Sequence, residues 1–311
     1  MKSADMAKWT QDTEFGAGSL RLRILFGIYR LLGAKFLTAA ILPIVLAAFL
    51  FRKSARSASL GYFARLYAFS GRPELKPSLL NSFRHMYSFA ASIIDKVGAW
   101  AGDITERDVE YCKKEAQQRI FENLRAGKGV FTLCSHLGNI ELLRAMASSR
   151  EEKIVVNAFV ETARSKELNA FIARMNPNAA LNLLPVKEIG IETASLIKAK
   201  LEGGELVVMA ADREAALNEK SGASLNFIGA SALFPKGAFR FLKLMECDFC
   251  FAFICRNGKG GYDVHTDFFE AALAQKPDEV MRDFVLRLEG LVLQYPYQWY
   301  NFYDFWQEDQ T

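Results

Sequence analysis

The spacing of apolar residues changes character along the chain. Phe36 to Phe51, FLTAAILPIVLAAFLF, is an unbroken apolar run of 16 residues. From Leu60 to Ala101 the pattern becomes amphipathic and helical, interrupted at Gly71-Arg72-Pro73. Thr105 to Arg125 predicts a further helix, N-capped by Thr105 and ended by Gly127 and Gly129. Beyond it the period shortens. VFTLCS (Val130–Ser135), IVVNAFV (Ile154–Val160) and ELVVMAA (Glu205–Ala211) are short apolar runs between turn signals, as buried strands are. Helical stretches separate them: one capped by Asn139 and running through Ala147, one near Ser165–Met175, and one from Glu188 to Leu201. FCFAFIC (Phe249–Cys255) and YDVHTDF (Tyr262–Phe268), joined across Gly258–Gly261, predict a hairpin, and a helix from Pro277 to Gln294 closes the chain. Strands alternating with helices predict an α/β domain around a mixed central sheet flanked by helices, preceded by a hydrophobic anchor helix and amphipathic helices. We divide it into a basic, membrane-associated segment, residues 1–75, and a catalytic domain, residues 76–311.

Charge sharpens that division. No acidic residue occurs in the 59 positions between Glu14 and Glu74. Residues 1–75 hold eleven basic and four acidic side chains, +7, while the remainder holds 28 basic and 31 acidic, −3. A basic, acid-free segment predicts contact with anionic headgroups, and a net charge of +4 argues against nucleic acid. The apolar run would span about 24 Å as a helix, short of a hydrocarbon core of roughly 30 Å. We therefore expect a monotopic or re-entrant anchor, with a single crossing as the alternative; Arg52-Lys53 directly after the run argues against a cleaved signal peptide. Five cysteines in 311 residues exclude a disulfide scaffold, and three histidines leave little for a metal site. Cys247-x-x-Cys250 has no second pair, so buried strand thiols are the expectation.

The chemistry concentrates in CSHLGNIELLRA, residues 134–145. His136 follows a buried strand, where side chains emerge at a sheet edge. Glu141 lies five residues on, and a turn at Leu137-Gly138 would let it point back at the imidazole from the first turn of the next helix. A carboxylate beside an imidazole fixes its tautomer and favours the protonated form, which suits a general base. The pair alone carries little specificity, since a hydrogen-bonded structural histidine has the same pattern.

H-x-x-x-x-E inside SHLGNIE resembles the signature of the lysophospholipid acyltransferase superfamily, and its Glu form resembles the lauroyl and myristoyl transferases of lipid A synthesis. Further blocks match in order: Arg164 in FVETARSKELNAFI, Asp212 in GGELVVMAADRE, LNFIGASALFPKGAFRF (Leu225–Phe241), and the closing YPYQWYNFYDFW (Tyr295–Trp306). The resemblance implies transfer of a fatty acyl chain from acyl carrier protein or acyl-CoA to a hydroxyl or amine of a lipid or glycolipid, without cofactor or metal. It implies His136 as the base with Glu141 orienting it, and Arg164, Asp212, Asn139 and Gly229 as substrate contacts. For Asp212 an ion pair with Arg164 or at a strand end is an equal alternative, and Gly229 suits a tight turn near the site. The implied location is the cytoplasmic face of a bacterial inner membrane. Basic residues usual after the closing aromatic pair are replaced here by Asn301, Tyr303 and Asp304, so a less anionic acceptor is expected. An esterase or thioesterase using water, and a non-catalytic lipid-binding relative, are the rival readings.

Overall fold

The computed structural model describes residues 19–148, 154–160, 170, 172–173, 182–185, 190–213 and 221–306. The elements in chain order are α1 (Ser19–Ala40), α2 (Leu42–Phe51), α3 (Lys53–Ser70), α4 (Leu79–Ala101), β1 (Val109–Tyr111), α5 (Lys114–Arg125), β2 (Val130–Gly138), α6 (Leu142–Ser148), β3 (Val156–Val160) and β4 (Asn182–Pro185). They continue with α7 (Ile191–Glu202), β5 (Leu206–Ala210), β6 (Gly222–Phe227), β7 (Ala230–Pro235), α8 (Gly237–Met245), β8 (Phe249–Arg256), β9 (Tyr262–Phe269), α9 (Ala271–Ala274) and α10 (Pro277–Gln294).

Seven strands form a mixed sheet in the order β1-β9-β8-β2-β5-β3-β4. The five from β8 to β4 are mutually parallel, while β9 runs antiparallel to β8. Strands in the middle of a parallel sheet are covered on both faces, which explains why Val130–Ser135 is apolar without alternation and buried throughout. On one face Phe131, Leu133, Phe251 and Phe253 pack against Phe239 and Leu242 of α8 and Phe284 and Leu288 of α10. On the other, Val130, Cys134 and Cys250 meet Ile120 of α5. The hairpin β6–β7 stands apart from the main sheet as a two-stranded ribbon.

Several boundaries depart from the sequence expectation. Thr105 caps a single 3-10 turn, Glu106–Asp108, and not the long helix expected through Arg125. Val109-Glu110-Tyr111 instead pairs with β9, because its register from Val109↔Tyr262 to Tyr111↔Val264 gives the segment a partner that local spacing does not reveal. Asn139 does not cap α6 through its side chain: its Nδ2 donates to the Ser92 carbonyl of α4 at 3.2 Å. The helix expected near Ser165–Met175 falls largely outside the described residues.

The N-terminal apolar run forms the end of α1 and all of α2. Among the described residues, Ile24–Phe51 is long and apolar enough to cross a membrane, and most of it is exposed. The stretch is not one straight rod, since Gly33 at φ 78° and ψ 169° breaks α1. Leu31, Ile44 and Phe51 are exposed at 82%, 69% and 84%, and Leu79 and Leu80 at the start of α4 are also exposed.

His85 of α4 joins this helical layer to the chain's end. It is fully buried, with Nδ1 3.0 Å from Ser59 Oγ and Nε2 2.9 Å from the Trp299 carbonyl. A carbonyl only accepts, so Nε2 carries the proton and Nδ1 accepts from the serine. Burial outweighs the carbonyl's pull and lowers its pKa to about 4. An unfolded histidine titrates near 6.5, so between these values the unfolded chain binds a proton that the folded chain refuses. Stability from this group is complete above pH 6.5 and falls as the pH drops toward 4, by about 3 kcal/mol. Denaturant titrations at pH 7, 5.5 and 4.5 should show that loss, and His85→Gln should flatten the dependence in this window.

Candidate active site

Strands β2 and β5 lie side by side in parallel, in register from Val130↔Leu206 to Cys134↔Ala210. The Ala211 N–H donates to the Cys134 carbonyl at 2.9 Å, which carries the pairing to the strand ends. The next residues, His136 and Asp212, therefore arrive together at the carboxyl edge of the sheet, where open α/β sheets bind ligands. Asp212 grips the histidine twice. Its Oδ2 accepts the His136 backbone N–H at 3.0 Å, and its Oδ1 lies 2.8 Å from Nδ1. The carboxylate is fully buried and the imidazole is 34% exposed. With Nδ1 donating to the carboxylate, Nε2 keeps its lone pair.

Burial raises the Asp212 pKa, but the His136 ring, the Arg213 charge and the two hydrogen bonds together hold it below the usual carboxylate range. Arg213 is fixed in turn: its Nη1 donates to Asn301 Oδ1 at 2.8 Å and lies 3.3 Å from the Tyr300 carbonyl.

The carboxylate at Nδ1 is thus Asp212, whereas the sequence expectation set Glu141 beside the imidazole. The cause is topological, since strand pairing brings a residue 76 positions away to within 2.8 Å of that nitrogen. Glu141 sits in the turn before α6, half-buried, and accepts the Trp100 indole N–H of α4 at 3.4 Å. It still belongs to the neighbourhood. The buried thiol of Cys134 is pushed up by burial first, then by the negative charges of Asp212 and Glu141, so both carboxylates bear on the end of β2.

Gly138 shapes the turn between His136 and Glu141. After Cys134 the pairing of β2 with β8 slips and resumes at Gly138↔Ile254. Gly138 has φ 70°, and a Cβ there would come 2.0 Å from the Ile254 carbonyl oxygen. Its N–H donates to the Gln298 carbonyl at 2.8 Å, and Leu137 bridges Trp299. The closing aromatic segment therefore forms one wall of the His136 loop.

Of the other sequence candidates, Arg164 lies outside the described residues. Asn139 is 4% exposed and held against α4, with Oδ1 buried and unpartnered. Gly229 occupies the β6–β7 turn at φ 72°, against the Phe69 ring. Sequence reasoning missed Trp100, Arg213 and the wall function of Gln298 to Asn301. Arg213 carried a signal as the neighbour of Asp212; Trp100 carried none within an amphipathic helix.

An imidazole clasped by a buried carboxylate at the carboxyl edge of a parallel sheet defines an α/β protein with a partly exposed ring equipped to move a proton. Residues 82–308 match the model of the bacterial lipid A biosynthesis acyltransferases, and the chain belongs to that family. It is accordingly an acyltransferase, with a lipid as acceptor. No curated protein matches the chain.

Gly138→Ala combines a left-handed backbone with a backbone clash, and should cost at least about 2 kcal/mol in chemical denaturation. Gly127→Ala, at a similar φ of 72° with open space around it, is the control and should cost about 1–2 kcal/mol.

Proposed function

We propose that this protein transfers a fatty acyl chain from a thioester, carried on acyl carrier protein or coenzyme A, to a hydroxyl or amine of a lipid or glycolipid at the cytoplasmic face of a bacterial inner membrane. The double clasp of His136 by Asp212 carries the reading, because it engages Nδ1 of a part-exposed ring and so leaves Nε2 to serve as the base. The acceptor O–H or N–H gives its proton to Nε2 while its heteroatom attacks the thioester carbonyl. The tetrahedral intermediate then collapses, the C–S bond breaks, and the departing thiolate takes the proton back from the imidazolium. Asp212 holds the Nδ1–H tautomer throughout and offsets the charge that forms on the ring. Glu141 stands beside the site as a second carboxylate, held by the Trp100 indole N–H. No resident cofactor enters this scheme.

The exposed apolar surface of α1, α2 and the start of α4, set in a segment of +7, supports a lipid-facing position. Arg213 is engaged by Asn301, in the stretch where relatives of this type carry basic residues. That favours an acceptor less anionic than a phosphorylated lipid A.

The test is an assay of purified protein in vesicles with radiolabelled acyl carrier protein thioester and a bacterial lipid extract. Label should move to lipid. Release as free fatty acid would indicate hydrolysis instead, and unchanged thioester a binding protein. His136→Ala should lower kcat by about 10²–10⁴, the worth of general-base help, with membrane binding retained. Asp212→Asn should fall in the same range through loss of the tautomer. Full activity in His136→Ala would remove the base.

A further inference from the structure

The second half of α4 is the framework behind the His136–Glu141 loop. Ser92 accepts from Asn139, Asp95 pairs with Arg256 of β8 at 3.0 Å, and Ala99 packs with Leu142 and Met146 of α6. Trp100 ends the series. Its side chain is 2% exposed and shares a cluster with Phe26, Tyr29 and Leu37 of α1 and Ile94 and Val97 of α4. Its indole N–H meets Glu141 Oε2. One aromatic side chain thus touches the lipid-facing helix with its ring and the motif carboxylate with its nitrogen.

The docking of α1 on α4 is specific. A Cβ on Gly98 would come 2.9 Å from the Tyr29 hydroxyl, so glycine there lets the tyrosine tip lie close to the α4 backbone. Arg30 donates to the Ala101 carbonyl at 3.2 Å and pairs with Asp103 at 3.7 Å, next to the Trp100 backbone.

We propose that Trp100 is a positioning residue that aims Glu141, so that a competent site requires α1 to be seated on α4. A carboxylate on a turn has rotamers to choose from; a donor fixed in a packed cluster selects one. If α1 moves away when its apolar face lacks a lipid partner, Trp100 loses part of its packing and its hold on Glu141 loosens. The enzyme is then most active when the anchor is embedded, which restricts acyl transfer to the membrane where the acceptor resides. This inference rests on the reading of Glu141 as part of the catalytic site.

The experiment uses the full chain in vesicles containing phosphatidylglycerol, with the labelled thioester. Trp100→Phe keeps a ring and removes the donor. It should lower kcat by about 10–100-fold, the range for misaligned catalytic groups, with KM for the thioester within twofold and vesicle binding unchanged. In a Glu141→Gln background the same change should add less than twofold, since residues acting through one another are not additive. Phe26→Ala, which alters packing on Trp100 but lies outside the site, should lower kcat in the native background and not in Glu141→Gln. Should Trp100→Phe fold poorly, benzothienylalanine at position 100 preserves the shape and removes only the N–H. Full kcat in the donor-less variant, or losses that multiply with Glu141→Gln, would overturn the proposal while His136→Ala remained inactive. An active His136→Ala would instead defeat the catalytic reading beneath it.

Discussion

A fully buried carboxylate on β5's end holds both the backbone and the ring of His136, and most of the site follows from that contact. Burying an ionised aspartate is expensive unless each oxygen is satisfied and a positive charge is near. Here each oxygen accepts one hydrogen bond from His136, and Arg213 supplies charge from the adjacent position. The histidine's position in the chain and its protonation pattern are therefore fixed by the same group. A ring held only through Nδ1 could swing about Cβ; the backbone N–H bond prevents the loop from following.

The closing segment makes this arrangement part of the whole molecule. Trp299 bridges Leu137 beside the site and offers its carbonyl to His85 of α4. Tyr62 of α3 donates to the Pro296 carbonyl at 2.8 Å, and Tyr297 donates to Asn81 of α4 at 2.8 Å. Trp306 donates to the Phe227 carbonyl at 2.9 Å and stacks on the Phe227 ring at 6.0 Å. An aromatic-rich strap suits this task, since each ring covers a large apolar area while its hydroxyl or indole N–H reaches a carbonyl. The abundance of phenylalanine has the same origin: Phe131, Phe241, Phe249, Phe251 and Phe284 fill the core between the sheet and its covering helices.

What the sequence revealed tracks how local each determinant is. Strands β2 and β5 and helix α10 were legible because burial and periodicity write themselves into consecutive residues. His136 was legible because its strand was. Its partner was not, because the Asp212 contact depends on the order of strands in the sheet, which no window of residues contains. The β6–β7 hairpin stayed hidden for a different reason. Its two-residue turn is Ile228-Gly229, both at positive φ, where asparagine or aspartate before glycine is the usual signal. A β-branched residue at φ 53° is paid for by context: Ile228 is buried, and its N–H donates to Glu289 of α10.

The apolar N-terminal helices bind the argument about chemistry to the argument about location. A side chain such as Leu31 or Phe51 gains roughly 1.5–3 kcal/mol when taken fully out of water, and α1, α2 and the start of α4 expose twelve large apolar side chains. A basic residue near an anionic surface adds about 1 kcal/mol. Those terms favour a lipid surface as the partner in the proposed function. Yet α1 does not give all of its apolar surface to lipid. Phe26, Tyr29 and Leu37 are buried against the second half of α4, the same half that holds Asn139 and Glu141. Helix α1 thus packs around Trp100, whose indole N–H meets Glu141, so its buried and exposed faces cannot be optimised independently.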